Sequence, residues 1–166
     1  MTKAEAVEAL LHGCVTWTPL SSHYSTLTAH GQPCVAQALS WMAQAQSHRP
    51  QTLARTGCES IETTVRKRRL HFAGFVTRMS PGRIPKHVMF GEIIAVKGQE
   101  REFNGRHKDW IRCLAEDVKA FGIEWQGWTT GALNVVQWHS CVEQGAERFM
   151  ADRCQKEDAE AAIRHG

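Results

Sequence analysis

The stretch that decides how this chain reads is Val65-Arg66-Lys67-Arg68-Arg69-Leu70-His71-Phe72-Ala73-Gly74-Phe75-Val76-Thr77-Arg78-Met79, continued by Ser80-Pro81-Gly82-Arg83-Ile84-Pro85-Lys86-His87. It holds seven Lys/Arg and no carboxylate, in a chain of net charge +3, so everything outside it sums to about −4. Ile61, Val65, Phe72, Val76 and Met79 recur at helical spacing, interrupted near Arg69, and predict a core-facing helix over roughly 59–79. Thr56-x-x-Glu59 is a candidate capping box for it. Gly74 costs a helix about 1 kcal/mol relative to alanine, which predicts close packing at that point. The basic residues then form the opposite and flanking surface. Positive charge concentrated this way, interleaved with apolar residues, predicts a surface that meets a polyanion. The plainer alternative for any basic run is a well-solvated helix face.

The rest of the chain predicts more helices and little else. Thr2-x-x-Glu5, followed by Val7, Leu10 and Leu11, reads as a short capped helix. Residues 14–33, rich in Ser, Thr, His and Gly, read as loop. Val35, Leu39 and Met42 give residues 34–46 a helical pattern. Residues 84–90 suggest a second short helix, 97–105 a polar loop, and Ile93-Ile94-Ala95-Val96 at most one short strand. Trp110, Ile111, Leu114, Val118 and Phe121 make an apolar stripe closed by a glycine cap at Gly122. A last helix from about Thr129 or Thr130 carries Leu133, Trp138, Val142, Phe149 and Met150, then turns polar, with Asp152, Lys156, Glu160 and Arg164 alternating in sign.

The expected fold is therefore mostly α, a small irregular domain of three to five helices with long loops. Residues 1–50 are expected to be weakly structured with short helices, 51–150 to form the helical domain, and 151–166 an exposed helical tail. Residues 56–150 would hold a three-helix core, stable by about 5 kcal/mol or less.

Composition narrows the class. The first residues carry acidic groups and no continuous apolar core, unlike a signal peptide. No apolar run approaches the roughly 18 residues that cross a bilayer. A soluble protein of the nucleus or cytoplasm, not secreted, is expected. The six cysteines, Cys14, Cys34, Cys58, Cys113, Cys141 and Cys154, contain no Cys-x-x-Cys and are expected to be free thiols.

Catalytic motifs are missing. The single tyrosine, Tyr24, is followed by Ser25-Thr26, and the four aspartates, Asp109, Asp117, Asp152 and Asp158, show no metal-binding spacing, so two-metal polymerase chemistry has no ligands. There is no phosphate loop and no nucleophile elbow. His107 with Cys113, and His139 with Cys141 and Cys154, lack the paired short spacing of a zinc site. Neither a metal nor a cofactor is expected, and no enzymatic activity.

The order of residues also resembles the segment downstream of the reverse-transcriptase core in LINE-like (non-LTR) retroelement polyproteins. The resemblance runs through Arg55-Thr56-Gly57-Cys58-Glu59-Ser60-Ile61-Glu62, the basic helix with Gly74-Phe75-Val76 and Arg78-Met79, Arg83-Ile84-Pro85-Lys86, Phe90-Gly91-Glu92, Lys108-Asp109-Trp110, Phe121-Gly122-Ile123 and Trp138. It covers roughly residues 41–150. One departure is Phe75, where that family commonly has histidine, so no ligand role passes to this position. The resemblance implies a role beside a polymerase, gripping template RNA or target DNA.

The function expected from both readings is non-specific binding of RNA or DNA through phosphate contacts. The residues expected to make them are Arg66, Lys67, Arg68, Arg69, Arg78, Arg83, Lys86, Arg106 and Lys108. Arg66–Arg69 would also suit a nuclear import signal if the tetrad is exposed. The alternatives are a decayed open reading frame, or a helical adaptor that meets a protein partner through Trp-rich faces.

Overall fold

The computed structural model of the chain describes residues 11–19, 22–24, 26, 59–98 and 109–165. Among these there are six helices and no strand: a 3-10 turn at Cys14–Thr16, α1 (Ile61–Arg78), α2 (Ile84–Gly98), α3 (Trp110–Ala120), a single turn α4 (Trp128–Gly131) and α5 (Val135–His165). The all-helical expectation holds. The expected helix over 34–46 and the Thr56 capping box lie outside the described residues.

Helix α1 is the central element. Its N-cap is Ser60, whose Oγ accepts from the Thr63 backbone N–H at 3.1 Å. Residues Leu70, Ala73 and Val76 of α1 enter the main core with Ile111, Leu114 and Val118 of α3, Met89 of α2 and Trp138, Val142 and Ala146 of α5. Contacts fix the direction of the packing. Going up α1, Thr63 meets Met150, Lys67 meets Glu143, His71 meets His139, and Arg78 reaches Ala132 just before α5. The numbers rise on one helix and fall on the other, so α1 and α5 are antiparallel. Similarly Arg69 meets Asp117 and Phe72 meets Trp110, so α3 also runs antiparallel to α1.

Gly74 shows why this geometry needs a glycine. A Cβ there would lie 2.4 Å from Trp138 Nε1, the same nitrogen that donates to the Leu70 carbonyl at 3.1 Å. The indole thus presents its Nε1 edge closely to α1. Helix α3 ends in a Schellman motif around Gly122 at φ 67°, with Gly122 N–H donating to Lys119 O and Ile123 N–H to Val118 O.

Several elements depart from the sequence reading. Helix α2 continues to Gly98, so Ile93–Val96 are helical rather than extended. A helix satisfies its own backbone hydrogen bonds, whereas a lone strand would leave them unmet. The expected last helix is broken: α4 stops, and α5 restarts after Asn134, whose Oδ1 accepts from Gln137 N–H at 3.1 Å. Leu133 falls in the break and is exposed instead of packed. Part of the expected N-terminal loop also packs on the domain. Leu11, Cys14 and Tyr24 are buried with Val65 in a second apolar cluster, joined by Trp17 and Ile61. The Trp110 indole donates to Val15 O at 2.8 Å. Among the described residues no helix is long and apolar enough to cross a membrane, and Cys14, Cys113, Cys141 and Cys154 are free thiols.

Candidate nucleic-acid interface

The cations of α1 fall into two sets with different surroundings. The first set is the tetrad at its N-terminal half. Arg69 and Asp117 are each 1% exposed, and Arg69 Nη1 donates to Asp117 Oδ2 at 2.7 Å. Its other terminal nitrogen donates to Trp17 O at 3.1 Å, while its Nε has no partner among the described residues. Arg66 bridges two carboxylates, Asp117 Oδ1 at 2.7 Å and Glu62 Oε1 at 2.8 Å, and lies over the Phe149 ring at 5.3 Å. Glu62 in turn accepts from Arg153 of α5. Lys67 sits between Glu59 at 2.5 Å and Glu143 at 3.0 Å. Arg68 reaches Leu11 O at 3.4 Å.

Of the expected phosphate-gripping tetrad, Arg69 is buried, Arg66 and Lys67 are engaged by carboxylates from α3, α5 and the start of α1, and Arg68 is half-buried. The interruption of the apolar face at Arg69 is a buried ion pair reaching from α1 to α3. Burial pushes the Asp117 carboxyl up to about 6, against the opposing pull of the Arg69 and Arg66 guanidiniums.

The second set lies at the turn between α1 and α2. Arg78 Nη1 donates to Ala132 O at 2.5 Å. Lys86 Nζ donates to Thr77 O and Met79 O, both at 2.8 Å, placing a cation at the negative end of α1. Arg83 is exposed, and its guanidinium has no partner among the described residues. Between Glu62 and Glu92 the sequence contains no carboxylate. Among the described residues Arg78, Arg83 and Lys86 make no ion pair; Arg78 and Lys86 donate to neutral carbonyls, and Lys86 Nζ also lies 5.9 Å from the Phe90 ring centroid. Arg106 and Lys108 lie outside the described residues.

Sequence reasoning missed two features. Asp117 was readable in part, because it stands between Leu114 and Val118 on the apolar stripe, where a carboxylate requires a buried cation. The pairing of His71 with His139 was not readable, since it joins α1 to α5 across 68 positions. Their rings lie 4.2 Å apart at 36°, His71 Nε2 is 3.6 Å from Glu143 Oε1, and His71 Nδ1 is buried without a partner among the described residues. Burial, then the neighbouring His139, hold His71 below the usual histidine range, with Glu143 pulling the other way and Lys67 adding to the decrease.

Four of the tryptophans expected on a partner-binding surface contribute to the core. Trp128 and Trp138 are buried, and Trp110 and Trp125 pack against the same core. The large apolar side chains left exposed are instead Phe75, Ile84, Val88, Leu133, Val135, Val136 and Ile163. An open, mostly apolar groove of about 410 Å³ lies along α3, lined by Ile111, Ala115, Val118, Ile123 and Trp125 with Arg112 and Lys119 at its edge. Among the described residues no group of three or more His, Cys, Asp or Glu side chains is placed to hold a metal ion.

A comparison with known family models, with curated proteins and with solved structures finds no match to this chain.

Proposed function

We propose that this chain is a non-catalytic helical module that binds RNA or DNA without sequence preference. In this reading the phosphate contacts fall to Arg78, Arg83 and Lys86, and the tetrad Arg66–Arg69 serves the fold. The carrying observation is the split in the charge of the basic helix. In its first half Arg66, Lys67 and Arg69 are paired with Glu59, Glu62, Asp117 and Glu143, whereas among the described residues the three cations at the α1–α2 turn have no carboxylate against them. A polyanion gains nothing from cations already paired. It gains the full counterion-release effect from unpaired ones. The resemblance to retroelement polyproteins supports the same reading, since a module beside a polymerase handles nucleic acid without needing an active site.

The test is a salt titration of the purified chain on duplex DNA. Three phosphate contacts give log Kobs against log salt a slope of about −3. The double variant Arg83→Gln/Lys86→Gln flattens it by about two units. Binding that is absent at low salt, or a slope that ignores this double variant, overturns the proposal. A second reading, docking of a protein partner, is favoured by the exposure of Ile84 and Val88 one turn apart on α2. It requires the charge-neutral variant Ile84→Ser/Val88→Ser to abolish association while leaving the salt slope unchanged.

A further inference from the structure

We infer that Phe75 is a stacking platform for an unpaired base, which makes single-stranded nucleic acid the preferred ligand of the Arg78–Arg83–Lys86 surface; this rests on the phosphate-binding reading above. Phe75 sits well inside the 18-residue helix α1, whose neighbouring residues Gly74 and Val76 are buried, yet its own ring is 56% exposed. A large aromatic left in water on a rigid helix loses apolar burial that a smaller or polar residue would not. It stands three residues before Arg78, whose guanidinium lies over the adjacent Gly74 and donates to Ala132 O, so a cation sits beside the backbone that carries the ring. Arg78 is held by the Ala132 carbonyl, and Lys86 is held by the carbonyls ending α1, so both cations have fixed positions.

Charge decides the occupant. The ring is apolar, from Thr63 to Gly91 the sequence bears no carboxylate, and Glu143 of α5, which comes against His71 one turn before Phe75, is taken up by Lys67 at 3.0 Å. An occupant that satisfies both features combines a flat π face with negative charge along a chain. A single strand with splayed bases does so, because every base has a face that stacks and every linkage carries a phosphate. A duplex offers the phosphates while keeping its bases inside the stack. Phe75 also projects from a regular helix, so ordering it on binding costs little beyond its own side-chain rotamers.

The experiment compares two single strands of about 12 nucleotides, oligo-dT and an abasic strand of equal length and phosphate number. Both are titrated with the full chain at about 50 mM salt. The wild type should bind oligo-dT roughly ten-fold more tightly than the abasic strand. Phe75→Leu keeps an apolar side chain but removes the π face. It should bring the two strands within about two-fold of each other while leaving the salt slope, the helical circular dichroism and the melting midpoint unchanged. Equal wild-type affinity for the two strands, or a preference that survives in Phe75→Leu, overturns the stacking role and leaves the phosphate reading standing. Absence of binding to either strand overturns the phosphate reading itself.

Discussion

Replacing Asp117 with leucine would strand a guanidinium in the core. Arg69 and Asp117 are each 1% exposed and 2.7 Å apart, and the other oxygen of Asp117 holds Arg66 at 2.7 Å. After the substitution Arg66 keeps Glu62, while Arg69 keeps the carbonyl of Trp17 as a hydrogen-bond acceptor but has no carboxylate against it. Removing one partner of a buried ion pair costs about 3–5 kcal/mol, because the surviving charge stays desolvated and uncompensated. For a domain stable by roughly 5 kcal/mol this leaves the folded and unfolded forms close to balance. The companion variant Arg69→Met/Asp117→Leu removes both charges and keeps apolar volume, and should recover most of the loss, ending within about 1–2 kcal/mol of the wild type. Urea unfolding followed by tryptophan fluorescence reads both, since Trp128 and Trp138 are buried and report the core directly. Far-UV circular dichroism serves as the second probe of a single transition. A loss below about 1 kcal/mol in Asp117→Leu would show that the ion pair does not organise the helix junction. A double variant as unstable as the single one would show that shape, not charge, carried the cost.

Three further outcomes follow from the packing. Gly74→Ala puts a Cβ 2.4 Å from Trp138 Nε1, so overpacking should outweigh the roughly 1 kcal/mol helix-propensity gain and leave a net loss of about 1–2 kcal/mol by urea midpoint; a stabilised variant would disprove the close approach. Ser60→Ala removes the acceptor for Thr63 N–H and should cost about 1 kcal/mol, read as a lower melting temperature, whereas Ser60→Asp should restore most of it. His71 is held below its ordinary value of 6.5, so the fold favours the neutral ring: its stabilising contribution is present above that value and is lost as acid protonates the unfolded chain first. The stability of the wild type relative to His71→Phe should therefore fall between about pH 7.5 and 5, with Asp117, which titrates in the opposite sense, common to both proteins; a pH-independent difference would refute it.

What the sequence determined by itself was the all-helical class of the fold and the approximate places of α1 and α3. Apolar residues at helical spacing, the glycine cap at Gly122 and the helical glycine at Gly74 each act within a few residues, and all appear where the pattern puts them. Boundaries that depend on weak local preferences shifted, as α2 and the break at Leu133 show. The accessibility of the basic residues was decided only by tertiary structure. A charge pattern records how many cations a helix carries, but whether they face solvent depends on carboxylates brought from elsewhere. Asp117 lies 48 positions from Arg69, and Glu143 lies 76 positions from Lys67. The apolar spacing places Arg69 on the core-facing side of α1, but only the arrival of Asp117 shows how its charge is met, whereas Arg83 remains in water. That difference is set by the antiparallel docking of α3 and α5 along α1, which brings Asp117 to Arg66 and Arg69 and Glu143 to Lys67, while among the described residues no carboxylate reaches the α1–α2 turn.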